Sequence, residues 1–98
     1  MLNERDAFYL FSTLELFIPL DAPAKVSLRS NMRGKKCIRY EAYTNGRQWT
    51  VDFYNLTFLY CLVPPYSHQV NNSVLSLISY LYKSLGLNYE QLAKTKRI

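Results

Sequence analysis

Ile38-Arg39-Tyr40-Glu41-Ala42-Tyr43-Thr44-Asn45-Gly46-Arg47-Gln48-Trp49-Thr50-Val51-Asp52-Phe53 reads as two strands folded back on a two-residue turn. Asn-Gly is the dipeptide that most readily supplies two consecutive positive φ angles, as a tight hairpin requires. Closing the turn at Asn45-Gly46 pairs Ala42 with Trp49, Tyr40 with Val51 and Ile38 with Phe53, all on one face. The opposite face receives Glu41 against Thr50 and Arg39 against Asp52, the latter an opposite-charge pair. Turn chemistry and side-chain alternation therefore select the same register, and a slip of one residue would turn every apolar side chain outward.

Working outward, Lys25-Val26-Ser27-Leu28-Arg29 alternates polar and apolar residues and predicts a further strand. Ser30-Asn31-Met32-Arg33-Gly34 breaks the alternation and predicts a turn that delivers Lys35 and Lys36 to the hairpin. The expected sheet is a three-stranded antiparallel meander. Leu56 to Val63 is dense in apolar residues and bounded by Pro64-Pro65, and its pattern leaves strand and short core helix both open.

Two helical segments flank these strands. Asn3 is placed to cap a helix with Asp6 three residues on, and Ala7, Leu10, Phe11, Leu14 and Ile18 form an apolar stripe that Pro19 ends. Phe8, Leu16 and Phe17 widen that surface, and a strand over Glu15 to Leu20 is a local alternative. Pro19 to Pro23 reads as a restricted connection, with Asp21 suited to the turn. A polar segment from Ser67 to Asn72 precedes the second helix, with a stripe of Val74, Leu77, Ile78, Leu81 and Leu85. Gly86 fits its C-cap and Leu87 is available to pack back. Asn88-Tyr89-Glu90-Gln91 resembles a further helix start, fraying into a tail from about residue 94.

The fold expected is α+β: one compact basic domain over residues 1–98, its meander packed against an N-terminal helix and a C-terminal helical segment. A chain of 98 residues has no room for a second core. Its 49% hydrophobic content and fifteen aromatic residues, nine of them tyrosine, exceed what a disordered segment carries.

Catalytic patterns are sparse. His68 is the only histidine and has no evident orienting partner. Cys37 and Cys61 lack metal-ligand spacing; Lys35 and Lys36 would favour a Cys37 thiolate, but its strand position argues for packing. The acidic residues form no evident pair, and the glycines serve turns and a cap rather than a phosphate loop. The expectation is a non-enzymatic protein with no cofactor and no metal. The start of the chain lacks the pattern of a secretory signal and Leu56–Val63 is too short for a membrane helix, which favours a cytoplasmic protein with reduced cysteines and no integral membrane association. Asn55-Leu56-Thr57 and Asn71-Asn72-Ser73 match a glycosylation pattern that needs a secretory route.

Binding has more support. The net charge is +5, and such an excess favours nucleic acid, an anionic surface or an acidic protein. Arg33, Lys35, Lys36, Arg39 and Arg47 could line a ribbon edge and meet phosphates, with Gln48 and Asn45 in reach of bases. Tyr43 and Tyr54 fall on the charged hairpin face, where Tyr43 could stack on a single strand. The favoured function is regulation in association with DNA or RNA through this basic hairpin. The alternative is a protein-binding regulator or inhibitor that occludes an acidic or nucleic-acid-associated partner through Tyr43, Arg47 and the apolar N-terminal helix. The same apolar candidates admit a homodimer.

Overall fold

The computed structural model describes residues 2–70 and 74–88. Helix α1 spans Glu4–Phe17. The Asn3 side chain accepts from the backbone N–H of Arg5 at 3.0 Å and of Asp6 at 3.3 Å, satisfying donors that a helix start otherwise leaves open. Ala7, Leu10, Phe11, Leu14 and Ile18 are buried as the stripe requires. The alternative strand over Glu15–Leu20 does not form: Glu15 to Phe17 continue the helix, and Ile18 turns extended because a residue before proline is pushed out of the helical region.

The sheet is an antiparallel meander in the order β1-β2-β3-β4-β5, with β1 at Lys25–Ser30, β2 at Lys36–Thr44, β3 at Arg47–Asn55, β4 at Phe58–Val63 and β5 at Tyr66–Val70. The β2–β3 register is the one the hairpin dictates, with Ala42 opposite Trp49, Tyr40 opposite Val51 and Arg39 opposite Asp52. Both turn residues have positive φ, 53° at Asn45 and 78° at Gly46, whose twist matches that of the strands they join.

The expected three strands are corrected to five. Leu56–Val63 contributes β4 because its residues alternate after all: Leu59, Cys61 and Val63 are buried, whereas Tyr60 and Leu62 are exposed. Pro64-Pro65 is the turn into β5, with Val63 opposite Tyr66, and so joins two strands rather than only ending one. Asn55 organises the preceding turn by accepting from the Thr57 N–H and hydroxyl at 2.9 and 2.6 Å.

One face of the sheet is buried beneath α1 and α2. Tyr40, Trp49, Val51, Phe53, Leu59 and Cys61 pack there, and Phe11 stacks on Tyr40 with ring centroids 4.7 Å apart. Helix α2, Val74–Leu85, buries Leu77, Ile78, Leu81 and Leu85 as expected. Tyr82 joins them, and its hydroxyl donates to the Phe17 carbonyl, tying α2 to the end of α1. Val74 is only half-buried. The helix closes at Gly86 (φ 69°), with the Leu87 N–H donating to the Tyr82 carbonyl at 2.8 Å, the hydrogen bond of a Schellman cap. The helix expected from Tyr89 onward and the frayed tail lie outside the described residues.

Candidate functional site

The opposite face of the sheet is covered by neither helix and divides chemically along its strands. Over β1 to β3 it carries paired charges. Arg39 donates to both carboxylate oxygens of Asp52, at 2.7 and 2.9 Å, and this hydrogen-bonded partner holds the guanidinium firmly protonated, its pKa raised. Arg29 lies 3.7 Å from Glu41. With both carboxylates matched by arginines, the positive excess on this face among the described residues rests on Lys25 and, in the adjoining turn, Arg33 and Lys35; Lys36 alternates onto the face of Ile38.

Farther across, the face becomes aromatic. Tyr54, Phe58 and Tyr60 meet edge to face, with centroid separations of 5.2 Å for Tyr54–Phe58, 5.3 Å for Phe58–Tyr60 and 6.3 Å for Tyr54–Tyr60. Tyr60 is 38% exposed and Leu62 39%. The Lys35 ammonium sits 5.2 Å from the Tyr54 centroid and 4.9 Å from that of Phe58, within the reach of a cation–π attraction. It is delivered there by the β1–β2 turn, where Asn31 Oδ1 accepts from the N–H groups of Arg33 and Lys35, each at 2.9 Å, and Gly34 takes φ 78°.

The residues expected to form one binding edge separate into groups. Arg33, Lys35 and Lys36 come together at one end of β2, all exposed. Tyr43 and Gln48 are exposed and face each other across the ladder at the other end. The nine residues of β2 put about 27 Å between these ends at ~3.4 Å per residue. Arg47 joins neither group: its guanidinium donates to the Ser84 carbonyl at 2.6 Å, on the helix-covered side. Arg39 is on the open face but engaged by Asp52. Asn45 and Gly46 donate their backbone N–H groups to Asp21, so the turn is itself held. Phe58 and Tyr60 escaped the sequence reading because Leu62 and Tyr60 mask the alternation of β4; taking Phe58, Tyr60 and Leu62 as one face and Leu59, Cys61 and Val63 as the other finds them.

Both cysteines are free thiols and buried. Burial pushes Cys61 up to about 12, with Asp52 adding to the rise. Burial and Asp52 also raise Cys37, against the pull of its hydrogen bond with Tyr54, so both thiols stay protonated at neutral pH. His68 lies on β5. Among the described residues no group of three or more His, Cys, Asp or Glu is placed to hold a metal ion, and no helix is long and apolar enough to cross a membrane. Neither a protein-family model, a curated protein nor a solved structure matches this chain.

Proposed function

We propose that this chain is a small non-catalytic regulatory protein that binds single-stranded nucleic acid on the open face of its sheet. The observation that carries this reading is the placement of Lys35 over Tyr54 and Phe58, beside a half-exposed Tyr60, with Arg33 and Lys36 at the same end. Single strands are held by this combination of aromatic faces for bases and cations for phosphates, with stacking contributing roughly 1–3 kcal/mol per base. An exposed cation–π contact contributes only about 0.5–1 kcal/mol, so Lys35 can leave its rings for a phosphate and free them for a base. Arg39 and Arg47, each already engaged within the fold, serve the sheet rather than the ligand.

Fluorescence anisotropy with labelled uridine and deoxythymidine oligonucleotides tests this. Three phosphate contacts predict a slope of log affinity against log salt of about −2, since each neutralised phosphate of a single strand contributes about −0.7. Neutralising Arg33, Lys35 and Lys36 together should abolish binding, and Tyr60→Ala should weaken it about tenfold or more, while Arg47→Ala leaves it unchanged. Affinity indifferent to salt or to the triple substitution sinks the proposal. The second reading, a protein-binding regulator, draws on the exposure of Phe8 and Tyr43 (66% and 48%). Partner capture that survives high salt and fails on Phe8 or Tyr43 substitution is its signature.

A further inference from the structure

The helix-covered face of the sheet is incomplete at β1. Val26 and Leu28 lie opposite Tyr40 and Ile38, which places them on the core face, yet they are 50% and 64% exposed. Beside them α1 presents Phe8, 66% exposed. Between helix and strand runs an apolar groove of about 250 Å³, lined by Phe8, Phe11, Val26, Leu28 and Ile38, with Glu4 the one charged residue in its wall among the described residues. β1 is also the terminal strand of the sheet, and among the described residues no strand pairs with its outer edge. Such an edge offers a row of backbone donors and acceptors to an incoming chain. Its alternate side chains Lys25, Ser27 and Arg29 fall on the open face, with Arg29 at the end next to the cationic Arg33–Lys36 turn and Lys25 at the other.

We infer that the β1 edge accepts an extended segment of a partner protein in which apolar and acidic residues alternate, adding it as a further strand. Strand addition takes affinity from main-chain hydrogen bonds and selectivity from alternate side chains. Apolar residues of the segment would enter the groove against Phe8 and Leu28, and its acidic residues would meet Lys25 and Arg29 on the other face. Glu4 enforces that order by repelling an acidic side chain turned into the groove. Glu41 lies 3.7 Å from Arg29 and opposite Lys25 in the ladder, so a single carboxylate offsets the two cations only in part and leaves a net positive charge for the acidic residues of the segment. A second copy of this chain is a poor occupant: antiparallel self-pairing centred on Ser27 sets Lys25 directly opposite the other copy's Arg29, and like charges so placed are destabilising. This edge is separate from the aromatic platform, and the inference stands or falls independently of nucleic-acid binding.

The test uses the whole chain and synthetic peptides, one alternating glutamate with valine and one alternating lysine with valine. Amide hydrogen exchange and chemical-shift mapping should show the acidic peptide protecting Val26 to Arg29 and shifting Phe8. Leu28→Ser should weaken it about tenfold or more, the loss expected from removing a buried leucine contact. Because Leu28 is exposed, an unchanged thermal melt of the free variant keeps that result interpretable. Lys25→Glu with Arg29→Glu should reverse the preference toward the lysine peptide. The inference is overturned if neither peptide binds, if both bind equally, if protection maps to β5 or the aromatic platform, or if an oligonucleotide displaces the peptide. It is likewise overturned if the free chain dimerises through β1 and Leu28→Ser abolishes the dimer.

Discussion

The Thr44 hydroxyl accepts the indole N–H of Trp49 at 3.0 Å and donates to the carbonyl of Pro19 at 2.6 Å. Thr44 is 1% exposed and Trp49 fully buried, so one oxygen satisfies two groups that water does not reach. It also joins three parts of the chain: the end of β2, the start of β3 and the connection after α1. The largest side chain of the core is thereby registered against the segment that brings α1 onto the sheet.

Replacing Thr44 with valine keeps the shape and deletes both hydrogen bonds. Each buried group left unsatisfied costs about 1–3 kcal/mol, so Thr44→Val should destabilise by roughly 2–6 kcal/mol and lower the melting temperature by about 8 °C or more, at about 4–8 °C per kcal/mol for a domain of this size. Thr44→Ser retains the hydroxyl and should lose less than half as much. Equal melts for the two variants would show that the hydroxyl is idle.

Asp21 holds the hairpin turn from outside it. Its carboxylate accepts from the N–H of Asn45 at 3.0 Å and of Gly46 at 2.8 Å, and its own N–H donates to the Tyr43 carbonyl at 2.8 Å. Hydrogen bonds to a charged acceptor are stronger than neutral ones, though exposure limits the gain here. Asp21→Ala should cost about 1–2 kcal/mol and accelerate amide exchange at Asn45 and Gly46 ahead of the rest of the sheet. Asp21→Asn, which keeps one acceptor oxygen, should fall between. Exchange that stays uniform across the hairpin would mean the turn holds without Asp21.

The hairpin and α1 were legible because local chemistry and periodicity agreed there: Asn45-Gly46 fixed the register, and Asn3 with the Ala7–Ile18 stripe fixed the helix. β4 was obscured because its outward positions carry Phe58, Tyr60 and Leu62, so the polar half of the alternation was missing. β5 follows a polyproline turn that reads as a stop, and its polar residues hide the pairing with β4. At the candidate site, the exposure of Lys35 and Lys36 was legible from their charge alone. The fates of Arg47 and Asp21 were not, because each is decided by a partner distant in sequence, Ser84 for one and the hairpin turn for the other.

Arg47 should behave as a helix cap. Its guanidinium meets the Ser84 carbonyl at 2.6 Å, at the C-terminal end of α2, where positive charge opposes the helix dipole favourably. Arg47→Ala is expected to cost about 0.3–1 kcal/mol and to raise amide exchange through the last turn of α2, with the β2–β3 register unchanged. Arg47→Lys keeps the charge and loses the planar donor fork, so it should recover only part of the loss. An α2 that exchanges at the wild-type rate in Arg47→Ala removes the capping role.

Alkaline pH should loosen this fold through groups it keeps protonated. Burial raises Tyr40, and the Glu15 carboxylate, which accepts from its hydroxyl at 3.3 Å, raises it further. Burial likewise raises Tyr82 and Tyr54 and pushes Cys61 up to about 12. In the unfolded chain cysteine loses its proton near ~8.5 and tyrosine near ~10. Above those values the unfolded state binds fewer protons than the folded one, so stability falls as pH rises; below about pH 8.5 the contribution is fully present. Urea unfolding across this range should give a plateau near neutrality and a decline beginning near pH 9. Tyr40→Phe should lose about 0.5–1.5 kcal/mol at neutral pH, the net contribution of one hydrogen bond, and then decline less steeply than the wild type above pH 10, so the two curves converge. Curves that stay parallel to the alkaline limit would show that Tyr40 ionises as freely in the folded protein as in the unfolded one.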